Sequence, residues 1–320
     1  MKILHSPIII TGATGWIGLN ILNQLQKLIP SNIFNDRVIC FGSKDSQIKS
    51  TGYDKNKQIK INIYSLDKIE KLLEGVKKAY IIHSAFLTFE KIKLYGKDNY
   101  CKKNKNITEK ICKFISLLDE SRVVEISSGA ANLNKFTYLN RNVDDIKIYG
   151  KLKLEEEEKI SFFSKEYLIL RPHAISGRFV KPLNYAFSQF ILCALNRKRI
   201  ILNSNNNVIR GYVFAEDIAN LAISWLFSER PSCSTYISTV SNEISILDLA
   251  KIISNIYKLP PPLNSIDFNL PKDYYSSKTE QFTKIMAELN IRITPLEEQI
   301  TETYNWLKFF KSNYSIPNEI

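Results

Sequence analysis

Histidine, cysteine and long apolar runs are all scarce in this chain, and each scarcity narrows what it can be. Only three histidines occur in 320 residues, His5, His83 and His173, well separated in sequence. No metal centre is expected from them. The five cysteines, at 40, 101, 112, 193 and 233, are odd in number and form no C-x-x-C pair. Their spacing suggests neither a disulfide framework nor a zinc site, so free thiols in a reducing compartment are expected. No apolar run approaches the ~20 residues that span a bilayer. The first residues, Met1 to Pro7, lead through an apolar run into a glycine motif and not into a small-residue cleavage site. That argues against a signal peptide and for a cytoplasmic protein. Acidic residues are in the minority, 32 against 44 lysines and arginines, for a net charge of +12. Such an excess can attract nucleic acid, an anionic membrane or acidic small molecules. Here the lysines are scattered among many Asn and Ile residues, as a compositional bias would scatter them. Neither nucleic acid nor a membrane is expected as a partner.

The hydrophobic fraction of 44% suffices for a substantial core. Short apolar strands are predicted at Pro7–Thr11, Val38–Phe41, Ile59–Ile63, Ala79–Ile82, Val123–Ile126 and Tyr167–Leu170. Helical spacing lies between them, over Ile17–Leu28, Leu66–Leu73, Asn104–Leu118 and Ile148–Phe163. The polar stretch Lys44–Lys57 reads as a loop. Strand and helix in alternation predict an α/β fold with a parallel sheet covered on both faces. After Pro172 the character changes. Pro182, the cluster Arg197-Lys198-Arg199, the polar run Asn203–Asn207 and prolines 260–262 interrupt helices near Tyr185–Leu195, Glu216–Phe227, Ile246–Tyr257 and Leu296–Phe309. Two regions are expected: 1–174 for a dinucleotide, with later segments free to return to it, and 175–320 mainly for substrate.

Thr11-Gly12-Ala13-Thr14-Gly15-Trp16-Ile17-Gly18 follows the first strand and opens the first helix. Gly12 permits the tight turn, Gly15 lets backbone approach a pyrophosphate, and Gly18 lets the helix pack on the sheet. The helix N-terminus through Thr14, Trp16 and Ile17 presents N–H groups and a positive dipole end. A dinucleotide site is expected here. An acidic residue after the second strand would bind the ribose 2′-hydroxyl of NAD. Val38-Ile39-Cys40-Phe41 runs instead into Gly42-Ser43-Lys44. Ser43 and Lys44 could hold a 2′-phosphate, which favours NADP over NAD.

Tyr149-Gly150-Lys151-Leu152-Lys153 places a phenol and an ammonium at i and i+4, on one helix face. The cation favours the phenolate, and a phenol so tuned can exchange a proton with a substrate hydroxyl or ketone. Standing after a glycine-rich turn and a strand ending in Ser127-Ser128, the pair points to hydride-transfer chemistry.

These motifs together resemble the extended short-chain dehydrogenase/reductase superfamily, and within it the NAD-dependent epimerase/dehydratase family that acts on nucleotide sugars. The resemblance runs through nearly the whole chain. It implies a Rossmann-type doubly wound sheet with a smaller C-terminal α/β substrate-binding region. It implies Tyr149 as general acid/base, Lys153 tuning it and holding the nicotinamide ribose, and Ser128 bonding the reacting oxygen. Asn104, with Thr108, matches the family's N-x-x-x-T and would support the lysine through water. Asn62 and Ile63 would flank the adenine. Ser84 and Ala85, after His83 in an H-x-A turn, and Pro172 would lie along the cofactor, with His83 a packed structural residue. Arg210, in Arg210-Gly211-Tyr212-Val213-Phe214-Ala215-Glu216-Asp217, matches the arginine that grips the substrate diphosphate.

The departures matter too. Gly129-Ala130 stands where 4,6-dehydratases of the family carry an Asp-Glu pair, so dehydration is disfavoured. No cysteine follows the serines, as it would in fucose-synthase-like enzymes. Ala174 replaces the usual substrate-binding Asn, and Leu152 a common Ser. The run Glu155–Glu158 reads as a solvated helix face apart from Glu157, which matches a family position. The expected function is a 4-ketoreductase or 4-epimerase on a nucleotide sugar, using NADP or NAD, with room for a homodimer. A non-sugar carbonyl reductase and a non-catalytic cofactor-binding regulator are the alternatives.

Overall fold

The computed structural model describes residues 6–49, 59–132, 143–180, 185–229 and 235–313. His5, Pro182, Cys233 and the end of the expected 44–57 loop lie outside them. Apolar β-branched runs become strands, and the periodic stretches between them become helices. In chain order these are β1 (Ile8–Thr11), α1 (Trp16–Leu28), α2 (Phe34–Arg37), β2 (Val38–Gly42), β3 (Ser46–Lys49), β4 (Lys60–Ser65), α3 (Ile69–Leu72), β5 (Lys78–His83), α4 (Ile92–Tyr95), α5 (Lys97–Ser116), β6 (Glu120–Ile126), α6 (Val143–Phe163) and β7 (Glu166–Pro172). There follow β8 (Ala174–Ser176), α7 (Ala186–Leu195), β9 (Val208–Phe214), α8 (Ala215–Phe227), β10 (Thr235–Thr239), β11 (Asn242–Ser245), α9 (Ile246–Tyr257), β12 (Asp273–Tyr275), α10 (Glu280–Glu288) and α11 (Leu296–Asn313).

The described residues fall into two compact units, one of 6–132, 143–171 and 218–237, the other of 172–217 and 238–313. The first is built on an eight-stranded sheet of order β10-β7-β6-β5-β1-β2-β4-β3. The chain runs outward from β1 to β2 and β4, then returns to the other side of β1 as β5. All of the pairings from β7 across to β4 are parallel. This is the Rossmann-type α/β architecture expected. Open sheets of this kind bind ligands beyond the carboxyl ends of the strands where the order reverses, here between β1 and β5.

One face of the sheet buries Ile9, Phe41, Ile81 and Val123 against Leu66, Ile69, Ile111, Phe114, Ile115 and Ile160. Each such side chain gains ~1.5–3 kcal/mol on leaving water. Across the far side, Arg122 of β6 donates to the carbonyls of Leu226 (3.0 Å) and Ser228 (2.6 Å). A guanidinium at the C-terminus of α8 satisfies orphan carbonyls and meets the negative end of the helix dipole. The strand β3 corrects the expectation of a loop over 44–57. It pairs antiparallel with β4 at the sheet edge, and its side chains are mostly exposed, so no apolar alternation announces it.

The second unit centres on β9, paired in parallel with β8 and β12 and antiparallel with β11. Asp217 is buried there and accepts from the Thr294 N–H (2.9 Å) and hydroxyl (2.7 Å). Burial pushes its carboxyl up to about 6, against the pull of those two bonds. The folded state therefore holds a proton that the unfolded state releases near 4, and stability falls as pH rises through roughly 4 to 6. Asp217→Asn, which cannot ionise, should gain thermal stability relative to the parent between pH 4 and 7. A difference in Tm that stays flat across that range would sink this expectation.

Candidate active site

The turn after β1 is shaped by backbone proximity. Gly12 has φ +68°, and a Cβ there would lie 2.6 Å from the Ser84 carbonyl carbon. A Cβ at Gly18 would lie 2.3 Å from the Gly12 oxygen, whereas one at Gly15 meets only that oxygen, at 3.1 Å. The turn is stapled on both sides. The Ala13 N–H donates to Phe41 O, and the Ser84 N–H and hydroxyl both donate to Thr11 O. No side chain caps α1 at Gly15, and no acid stands in its first turn. An uncapped, acid-free helix N-terminus at the carboxyl edge of β1 fits a pyrophosphate. Thr14 and Gly15 are exposed at its mouth, Trp16 is half-buried, and Ile17 packs inward.

Ser43 and Lys44 are exposed beyond β2. A carboxylate does follow them, but it is engaged elsewhere. Asp45 accepts the Ser65 N–H at 2.7 Å and pairs with Lys68, and both contacts hold its carboxyl below the usual range. Ile63 is buried, but Asn62 is in mid-strand, because β4 continues to Ser65. Its amide oxygen accepts from Gln47 of β3 at 2.9 Å.

The helix α6 carries both Tyr149 and Lys153. Tyr149 is half-buried against Phe86 and Phe89, with ring centroids 5.7 and 6.2 Å away. Burial pushes its phenol above the ordinary range, while the Lys153 ammonium and a hydrogen bond with Ser128 pull it back. The expected lowering by Lys153 is present, but desolvation outweighs it. Ser128 stands two residues beyond β6, where its Oγ also accepts the Ala130 N–H at 3.2 Å. The turn beyond it, Gly129–Ala131, is buried and carries no acid or base.

Lys153 is nearly fully buried, at 2% exposure. Its Nζ donates to Ile126 O (2.8 Å) and Glu156 Oε2 (2.6 Å), and lies 4.1 Å from the Phe86 ring centre. Glu156 is therefore not on a solvated face. It and Glu157 are both completely buried, because α6 lays the stripe Gly150, Lys153, Glu156, Glu157 and Ile160 inward. Glu156 Oε1 meets His83 Nε2 at 3.0 Å and accepts the Thr108 hydroxyl at 3.1 Å. His83 Nδ1 is 2.6 Å from Thr11 Oγ1. Burial opposes the Glu156 charge, but Lys153 and His83 more than offset it and hold the carboxyl at about 2. Burial alone would likewise depress the Lys153 amine, yet the carboxylates beside it carry it above its ordinary value.

Glu157 serves a different purpose. It accepts from Ser127 and from both ends of the Arg171 fork, tying β6, α6 and β7 together. Asn104 is buried on α5, with its Oδ1 accepting the Leu87 N–H at 2.8 Å and its amide donating to Leu87 O at 3.3 Å. It shapes the segment carrying Phe86 and touches Lys153 through no direct bond. Ala85 receives a weak link, its N–H to Thr11 Oγ1 at 3.4 Å, and Pro172 is the last residue of β7. In the second unit, Arg210 of β9 is held by Asp273, with Nη1 2.9 Å from Oδ1 and 3.0 Å from the carbonyl. Among the described residues, no group of three or more His, Cys, Asp or Glu is placed to hold a metal ion.

Residues 8–232 match the family described as NAD dependent epimerase/dehydratase. Comparison with curated protein sequences finds no match. Among solved structures, the chain resembles a UDP-N-acetylglucosamine 4-epimerase from Methanobrevibacter ruminantium in complex with UDP-N-acetylmuramic acid, at 18% identity and TM-score 0.70, over 95% of this chain and 98% of that one. A UDP-glucuronic acid 4-epimerase from Bacillus cereus with UDP-glucuronic acid and NAD is 18% identical, TM-score 0.67, over 95% and 99%. A dTDP-glucose 4,6-dehydratase from Bacillus anthracis in complex with NAD is 13% identical, TM-score 0.70, over 97% and 98%. The glycine turn on β1, the Ser-Tyr-Lys cluster and a family match over well over half of its length lead to one conclusion: this chain belongs to the NAD-dependent epimerase/dehydratase family.

Proposed function

We propose that the protein is a nicotinamide-dinucleotide-dependent oxidoreductase that moves hydride at a carbinol or keto carbon of a nucleotide sugar, as a 4-ketoreductase or 4-epimerase. The observation that carries this reading is the bond between Ser128 and Tyr149 with Lys153 one helical turn along. When bound, the nicotinamide supplies or accepts the hydride. The chain's own part is proton transfer and orientation. Ser128 donates to the substrate oxygen and fixes its direction toward Tyr149. The Tyr149 phenol, raised by burial, is protonated at neutral pH and gives its proton to the oxygen of a ketone during reduction, or takes one back during oxidation. Lys153 favours the transient phenolate and holds the ribose. The turn at Gly12, Gly15 and Gly18, with α1, takes the pyrophosphate. Arg210 would grip the substrate diphosphate, sharing or releasing Asp273 as it does so. The Gly129–Ala131 turn, which carries neither acid nor base, disfavours dehydration, which needs both near the sugar. The nucleotide sugars in the solved relatives support this class of substrate.

The reductase reading is favoured at the cofactor end. With Asp45 occupied by Ser65 and Lys68, Ser43 and Lys44 are what a 2′-substituent would meet, and they suit a phosphate. The NAD in solved relatives is the counterweight. A screen of nucleotide sugars and their keto forms, followed by nicotinamide absorbance with either dinucleotide, tests the function. NADP(H) is expected to bind more tightly, and Lys44→Ala to erase that preference. A clear preference for NAD(H) would refute the cofactor assignment, and no turnover of any nucleotide sugar the substrate class.

A further inference from the structure

Glu156 stands where a carboxylate is expensive. Burying an ion without a partner costs several kcal/mol, and removing one partner of a buried pair strands the other. Three side chains meet its two oxygens. Oε2 takes the Lys153 ammonium; Oε1 takes Thr108 from α5 and faces His83 from β5. Because an ionised carboxylate only accepts, His83 Nε2 presents a proton to Glu156, while Nδ1 shares a hydrogen bond with Thr11 Oγ1. The chain Thr11–His83–Glu156–Lys153 thus runs from the end of β1, beside the phosphate turn, to the foot of Tyr149. It ends on Ile126 O, two residues before Ser128.

We infer that Glu156 is a positioning residue for Lys153: its buried carboxylate pairs with the ammonium and, with the Ile126 carbonyl, fixes it one helical turn from Tyr149, so that the lysine is set for phenol and ribose alike. The inference rests on the hydride-transfer reading above. It assigns Glu156 no contact with substrate or cofactor. Other ionisable groups face this centre from every side. Glu157, Lys153 and Tyr149 share α6, His83 comes from β5, Glu125 from β6 and Cys112 from α5, and Glu90 faces Tyr149. Glu125 is completely buried and, next to Glu156, is pushed well above the carboxylate range by burial and by that neighbouring charge. The thiol of Cys112 is also held up, to about 12, chiefly by burial, so it does not compete for the ammonium at neutral pH.

Glu156→Gln keeps shape and acceptor but removes the charge. In that variant the Lys153 amine should lose its proton at a lower pH than in the parent. Tyr149, freed from the repulsion of Glu156, moves the same way. Two readouts follow. One is the Lys153 ammonium resonance in nitrogen-15 NMR, assigned by its loss in Lys153→Met. The other is dinucleotide affinity as a function of pH, read by tryptophan fluorescence with NADPH and NADH. The alkaline limb of both should shift acidward together, and Glu156→Asp should restore the limb toward that of the parent. A space-filling role predicts parent-like profiles for Gln, and that result would overturn the inference. Should the Gln variant not fold, the parent protein decides: its Lys153 ammonium must titrate above the ordinary lysine range despite burial, and a midpoint below that range would equally overturn the inference. If the ammonium shifts as expected but no dinucleotide binds the parent at any pH, the charge pairing stands and the hydride-transfer reading fails.

Discussion

Replacing Tyr149 with phenylalanine is expected to lower kcat by a factor on the order of 100 to 10,000, the usual worth of a general acid–base, while dinucleotide affinity is unchanged. The ring contacts with Phe86 and Phe89 survive the substitution, so the fold should too. Only the hydroxyl is lost, together with its bond to Ser128. The phosphate turn lies on a different element and feels nothing. The comparison is best made as kcat against cofactor Kd under saturating substrate. Turnover at the parent rate would mean that the proton comes from elsewhere and that Ser128, Tyr149 and Lys153 are not the reacting centre.

The second large effect concerns binding. Gly15→Val should weaken nicotinamide dinucleotide binding by roughly 10- to 150-fold, the equivalent of one lost hydrogen bond to a charged group at ~1.5–3 kcal/mol. A Cβ at Gly15 would meet only the Gly12 oxygen, at 3.1 Å, so the turn itself can adjust. Branched bulk would then occupy the mouth of α1. Gly18 offers a contrast, since its Cβ would press to 2.3 Å from the same oxygen. Gly18→Val should cost the fold itself, seen as a drop in Tm before any cofactor is added. Equal dinucleotide affinity in a folded Gly15→Val protein would remove the glycine turn from the binding site.

Much of this was legible in the sequence because local chemistry dictated it. The β1 turn declares itself by glycines at the spacing that a tight strand-to-helix turn needs, and the alternation of short strands with periodic helices gives the parallel sheet. What stayed hidden depended on partners far along the chain. The strand β3 is polar on an edge, so its pairing with β4 leaves no periodic trace. Asn62 reads as a strand end, but β4 runs on to Ser65 and turns that side chain toward Gln47. The glutamate run on α6 looks solvated when it is taken as charge alone. Its helical phase says otherwise, since Glu156 and Glu157 lie three and four residues after Lys153 and share the inward face with Ile160. Glu125, inside an apolar strand beside His83 in register, was the remaining sign that this core holds ionisable groups.

The discontinuity of the first unit bears on how the chain folds as it is made. Residues 6–171 supply seven strands of its sheet, but β10 at the edge and the carbonyls that receive Arg122 come only from the stretch ending at 237. At ~5–20 residues per second, the intervening chain takes about 3–13 s to synthesise. For that interval β7 is an open edge on the nascent sheet and Arg122 has no α8 to cap. An arrested chain ending near 171 should therefore be the species most dependent on chaperones, although it already carries the glycine turn, Tyr149 and Lys153.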